Sequence, residues 1–230
     1  MISTDALLQD KGPSVPKTLS TGTHVCKITS IKLDVSPFDS EAFFLHLNVE
    51  SEPMGDDFEG FYIDKDNPDA GRYLGQVGRV KTNEYAYKDG VTKSGIKVMR
   101  DLEILKAVQN ISRVTNSLTW MEANNNKHET IAEYVEAFNN DAPFKDVFIK
   151  MTLGGREYFK DNYSKYDLFL VRPGKGNVSM ERLDVAEENS KLVKFSEDLH
   201  IKRKKVDAVE SFGNNDSVTT SSSVGSDFDL

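Results

Sequence analysis

Between residues 23 and 35 the side chains are mostly β-formers, and the apolar positions run Cys26 and Ile28, then change phase to Ile31, Leu33 and Val35. A strand keeps its apolar face at a period of two, so this slip predicts a bulge near Thr29-Ser30. Residues 42–49 alternate without interruption, with Phe43, Leu45, Leu47 and Val49 on one face and Phe44, His46 and Asn48 on the other. That is the pattern of a strand buried on one side only. After the turn signal Pro53-Met54-Gly55-Asp56, a third strand is expected over residues 58–64, with Phe61 and Ile63 inward and Tyr62 outward.

The pattern then weakens. Residues 66–95 hold Gly71, Gly75, Gly78, Gly90 and Gly95 and predict long loops with at most a short strand or hairpin. Helical spacing returns over 99–115, where Leu102, Leu105, Val108, Ile111 and Val114 recur, and again over 130–138 with Ile131, Tyr134, Val135 and Phe138. The second helix should stop at Asn139-Asn140-Asp141-Ala142-Pro143. Trp120, between the helices, reads as a core plug in preference to an exposed platform. Val147, Ile149, Met151 and Leu153 alternate up to Gly154-Gly155, after which residues 156–160 could return as a hairpin arm. A last strand covers 165–171, and a short helix is expected within 184–194.

Three strands, helices, then two strands is the chain order of an OB-fold barrel with its helical insertion between the third and fourth strands. The expected fold class is therefore mainly β with α, an OB-like five-stranded barrel. A different α+β sheet with one covered face is the alternative.

Charge divides the chain. The formal net charge is -8 over 230 residues, yet setting aside the five carboxylates after residue 205 leaves 29 basic against 32 acidic residues. The body is close to neutral, so a nucleic-acid partner would require its cations gathered on one face. The basic run Lys202-Arg203-Lys204-Lys205 precedes a segment without Lys or Arg that closes on Ser226-Asp227-Phe228-Asp229-Leu230. Four regions follow: a loose arm over 1–21, an OB-like domain over 22–176, a polar and basic linker over 177–205, and a disordered acidic tail over 206–230. No apolar window approaches a membrane span, and the amino end lacks a signal peptide's apolar stretch. The lone Cys26 allows no internal disulfide and fits a reduced, cytoplasmic setting.

Catalytic chemistry finds little purchase. There is no GxxxxGK[ST], HExxH, GxSxG or post-strand GxGxxG, and the four histidines are scattered. The run Asp64 to Gly71 superficially suggests a calcium loop, but Pro68 breaks the ligand spacing and no glutamate holds the twelfth position. Pro68-Asp69 could open a nuclease motif, yet no Asp or Glu is followed two residues later by Lys. The reading is of a non-enzyme without metal or cofactor.

Binding has more to work with, because a single strand is held by aromatic rings that stack on bases and by cations that neutralise phosphates. Phe44 and Tyr62 lie opposite the apolar rows of their strands. Arg79, Lys81, Tyr85 and Tyr87 share one face if their segment is extended, with Lys88 beside them. Arg72 belongs to the preceding Gly-rich run. Arg156 and Tyr158, with Lys160, Lys165 and Tyr166, form a second set.

The segments Phe58 to Pro68, Gly71 to Val80 and Asp101 to Leu105 resemble those of bacteriophage-encoded single-stranded-DNA-binding proteins of OB type, a similarity spanning roughly residues 20–172. The resemblance implies a DNA-coating role in phage replication or recombination within an infected cell. It also implies a mobile acidic tail whose tip docks replication or recombination proteins, the matching positions being Asp227, Phe228, Asp229 and Leu230. The tail departs from the usual form in ending on Leu230 instead of phenylalanine and in spacing its acids with Ser, Thr and Gly. The leading expectation is a protein that coats single-stranded DNA with little sequence preference, with self-association left open. The alternative is an OB-like adaptor of the replication machinery without DNA affinity of its own.

Overall fold

Two long strands, β1 (Gly22–Ser36) and β2 (Asp39–Ser51), form an antiparallel hairpin around Pro37-Phe38. The computed structural model describes residues 18–55, 62–63, 72–73, 75–160 and 163–203. Pairing of β1 with β2 shifts register between Ile28 and Ser30, where the sequence places its bulge. The extra residue lets Cys26 and Ile28 on one side of the slip and Ile31 on the other all reach the core. Leu45, Leu47 and Val49 of β2 are buried as their alternation requires. Val35 is exposed instead, next to a second register shift at Ser36.

The third barrel strand is not the expected one. Among the described residues, 62–63 and 72–73, β3 (Tyr62–Ile63) and β4 (Arg72–Tyr73), pair with each other and with no barrel strand, and most of 58–64 lies outside them. The strand beside β2 is β5 (Val77–Lys81). Its five residues offer only Val77 and Val80 to a period-two reading, so pairing on both edges and the complete burial of Val80 specify it instead of its own pattern. A small ribbon, β6 (Gly90–Val91) with β7 (Lys97–Val98), precedes the helices.

Three helices follow: α1 (Arg100–Val114), α2 (Leu118–Ala123) and α3 (Ile131–Asp141). The buried stripe of α1 is Ile104, Val108, Ile111 and Ser112, rotated from the expected one, and Leu102 is exposed. Thr130 caps α3 by accepting from the Glu133 N–H at 3.2 Å, and Ala142 ends it in the left-handed conformation at φ 43°. Trp120 of α2 packs edge-on against Tyr134 and Phe138, with ring centres 5.5 and 4.9 Å away, and its Nε1 donates to Asp141. It plugs the helical layer.

After the helices, β8 (Phe148–Lys160) runs straight through Gly154-Gly155 in place of the expected hairpin turn, and β9 (Tyr163–Leu170) returns along it. The glycines serve close packing. A Cβ on Gly154 would sit 2.7 Å from the His200 carbonyl oxygen and from the Phe169 ring, and one on Gly155 would sit 2.6 Å from Thr21. The order β1-β2-β5-β9-β8 closes through antiparallel pairing of β8 with β1, from Gly22↔Leu153 to Lys27↔Phe148. Within it β5 and β9 are parallel, which the long connection through the helices and β8 makes possible. The result is a closed five-stranded barrel with helices between its third and fourth strands, an OB-like α+β fold.

Residues 177–203 do not behave as a linker. The segment adds β10 (Met180–Arg182) to β8, carries a 3₁₀ turn at Glu187–Asn189 within the stretch expected to be helical, and ends in α4 (Glu197–His200) and β11 (Ile201–Lys202). Met180 and Glu181 are buried, and the Glu181 carboxylate accepts from Ser190 Oγ at 2.6 Å and the Lys191 N–H at 2.8 Å. β11 lies parallel to β8 at Gly155 and Arg156, on the edge that β1 leaves open beyond Leu153. The expected amino-terminal arm is likewise docked at its end, Leu19 being buried and its N–H donating to the Val77 carbonyl. No helix among the described residues is long and apolar enough to cross a membrane.

Candidate nucleic-acid interface

Alternation along each barrel strand sends every second side chain outward, and the register decides which of them meet. Phe44 of β2 stands opposite Asp34 of β1, while His46 pairs with Lys32 on one side and Lys81 of β5 on the other. Asn48 stands opposite Arg79, and across β8 and β9 Arg156 faces Asp167 and Tyr158 faces Lys165. Apart from Lys32, these positions line one open groove of about 1440 Å³ over the outer face of the barrel.

Its chemistry repeats. Lys81 Nζ lies 4.3 Å from the centre of the Phe44 ring and donates to Asp167 Oδ2 at 2.5 Å. Arg79 donates to Asp34 Oδ2 at 2.7 Å, an oxygen that also meets His46 Nδ1 at 2.8 Å. Arg156 donates to Glu84 at 3.0 Å and sits 5.8 Å from the centre of the Tyr85 ring. Burial pushes the Asp34 carboxyl up, but hydrogen bonds from Lys32 and His46 and the charge of Arg79 outweigh it and hold it below its usual range. His46 is held low by burial and by the Arg79 charge, against the upward pull of Asp34. Each of these three cations thus has an aromatic ring or a carboxylate, or both, as neighbour.

Of the residues singled out from the sequence, Phe44, Arg79, Lys81, Tyr85, Arg156 and Tyr158 all line this groove. Tyr85 is 63% exposed and Tyr158 42%, so both rings are open to a flat ligand. Tyr87 does not share their face. β5 ends at Lys81, the chain bends, and the Tyr87 backbone pairs with Phe43, packing its ring against the core with its hydroxyl 2.9 Å from Thr82 Oγ1. Lys88 points away as well, held at 2.5 Å by Asp39. Tyr62 and Arg72 are placed by backbone pairing only, and their side chains lie outside the described residues, as do Asp227, Phe228, Asp229 and Leu230.

Two features escaped the pattern reading. Phe38, at the tip of the β1–β2 hairpin, is 95% exposed and lines the groove. An aromatic inside Ser36-Pro37-Phe38-Asp39, a turn with no core within reach, is a signal that could have found it. The carboxylates Asp34, Glu84 and Asp167 carry no such signal, since charges in strands and loops ordinarily mean solvent. Among the described residues no group of three or more His, Cys, Asp or Glu is arranged to hold a metal ion.

Comparison with protein-family models, with curated proteins and with solved structures finds no match to this chain.

Proposed function

We propose that the protein binds single-stranded DNA in the groove of its barrel, coating the strand by stacking and phosphate neutralisation with little sequence preference. One observation carries the reading: Phe44, Tyr85 and Tyr158 are interleaved with Arg79, Lys81, Arg156 and Lys165 along one open groove. Rings hold bases of any identity because every base has a π-face, and cations between the rings follow the backbone. The groove crosses strands of a closed OB-like barrel, an architecture that offers its outer strand face to oligonucleotides. The sequence resemblance supports a place in phage replication or recombination, with the chain's acidic end as a contact for other proteins of that system.

A second reading has its own support. The carboxylates beside the cations leave the groove locally near charge balance, which suits a protein segment as well as a polyanion, so an adaptor is the alternative. Fluorescence anisotropy of a labelled 30-nucleotide single strand and of its duplex, at two salt concentrations, separates the two. Preferential single-strand binding that weakens with salt is the expected result. No binding to either oligonucleotide would remove the leading reading and leave the adaptor.

A further inference from the structure

Three cations of the groove are already engaged by carboxylates of the groove itself. Arg79 is 2.7 Å from Asp34, Lys81 is 2.5 Å from Asp167, and Arg156 is 3.0 Å from Glu84. The acids come from strands and loops distant in sequence from their partners, so the order of strands in the barrel, and not local charge patterning, brings them together. Each carboxylate presents two anionic oxygens at the spot where a phosphate oxygen would meet the same cation. A phosphate that approaches the same N–H must compete with the acid, most of all at Lys81, which is 17% exposed, and less at Arg79 and Arg156, which keep further N–H groups open.

We infer that Asp34, Asp167 and Glu84 are specificity-determining residues that occupy the groove's phosphate positions, so that only a strand which also stacks on Phe44 and Tyr85 displaces them. The inference rests on the reading that the groove takes a single strand of DNA. Its physical basis is exchange. An anion alone trades one ion pair for another and gains little, whereas a strand with bases adds stacking that the carboxylates cannot offer. A displaced carboxylate also takes up a counterion from solution, offsetting those released from the DNA, so binding should depend on salt less steeply than three neutralised phosphates would require. The acids reject polyanions without lowering affinity for nucleic acid to the same extent, a device that acts against the wrong ligand.

The test compares a labelled 30-mer of deoxythymidine with an abasic 30-mer of equal charge, using the full chain and the charge-removing variant Asp34→Asn/Asp167→Asn, with Glu84→Gln made separately. Thermal melting of each variant establishes that it is folded. The wild-type protein should prefer the strand with bases. The double variant should bind the abasic strand about tenfold more tightly than wild type does, with a smaller preference between the two strands. Its log affinity against log salt should steepen by roughly 1.4, about 0.7 for each cation released from its acid. Binding of both strands by the variants when wild type binds neither would overturn the inference, since the carboxylates would then exclude the stacking strand as well. Wild-type binding of both strands alike overturns it, leaving DNA binding through phosphates without stacking, whereas a variant that binds the thymidine strand but gains nothing for the abasic one overturns it while leaving the DNA reading intact. No binding by any form overturns both.

Discussion

The ammonium of Lys81 lies 4.3 Å from the centre of the Phe44 ring while the same nitrogen is hydrogen-bonded to Asp167. One face of the ring is therefore covered by a cation, and the remaining exposure is what a base can use. Phe44→Ala removes the ring and the support for Lys81 together. It should weaken single-strand binding by about 1–3 kcal/mol, and Tyr85→Ala should do the same through its own ring. Anisotropy titrations with thermal melts as a control would decide this, and unchanged affinity in both variants would place the DNA elsewhere.

Gly154 lets β8 pack closely against Phe169 of β9 and the His200 carbonyl. Because the new methyl of Gly154→Ala would lie 2.7 Å from a backbone oxygen and an aromatic carbon, the substitution should cost about 1–3 kcal/mol of stability. Urea unfolding should show the loss. An unchanged midpoint would mean that the segment ending in β11 can shift away freely.

Acid should loosen the fold partly through His46. Burial and the Arg79 charge keep its imidazole below its ordinary value of 6.5 in the native state. The unfolded chain then binds more protons than the native one as pH falls below that value, so this contribution is complete above it and is lost towards the lower native pKa. His24, through burial, and His200, through burial and the Lys202 charge, shift in the same direction. Melting temperature should fall between pH 7.5 and 5.5, and His46→Gln should reduce the fall without abolishing it. An equal fall in both proteins would assign the effect to other groups.

Cys26 is fully buried, and burial with the nearby Glu52 charge pushes its thiol up to about 12. Thiolate, the reactive form, is therefore scarce in the native state. A thiol-specific chromogenic reagent should label the protein only where urea has unfolded it, with the labelling curve following the unfolding curve. Rapid labelling in native buffer would mean that the barrel opens locally around β1.

Thr130→Ala should cost about 1 kcal/mol, since it orphans the Glu133 N–H at the start of α3. Thermal or urea unfolding would measure it, and Thr130→Ser should recover most of the loss.

Period-two alternation made the β1–β2 hairpin legible because one face of it is buried and the other is wet, and the phase slip at Thr29-Ser30 located the bulge for the same reason. The outward row Phe44, His46 and Asn48 followed from that pattern. β5 showed only as a short extended segment around Arg79 and Lys81, and its place as the third barrel strand was hidden because five residues held by neighbours on both edges need little hydrophobic signal of their own. Gly154-Gly155 misled because glycine marks tight packing as readily as a turn, and only the neighbouring segments distinguish the two. Residues 177–203 looked polar since they cover edges of β8 largely by backbone pairing, with Met180 as one of few apolar anchors. The pairing of Arg79, Lys81 and Arg156 with acids is set by the order of strands in the barrel, which no local pattern encodes.

Closure of β1 onto β8 joins Gly22 to Leu153, residues separated by most of the described chain. During synthesis at about 5–20 residues per second, β1 and β2 leave the ribosome on the order of ten seconds before β8 can cover the open edge of β1. For that interval a long strand rich in β-formers has unpaired N–H and C=O groups along one side, the condition under which chains pair with one another. The helices, whose backbone hydrogen bonds are local, can form while the hairpin waits, so the slow step of folding should be the arrival of β8, and crowded nascent chains should be most prone to aggregate before it.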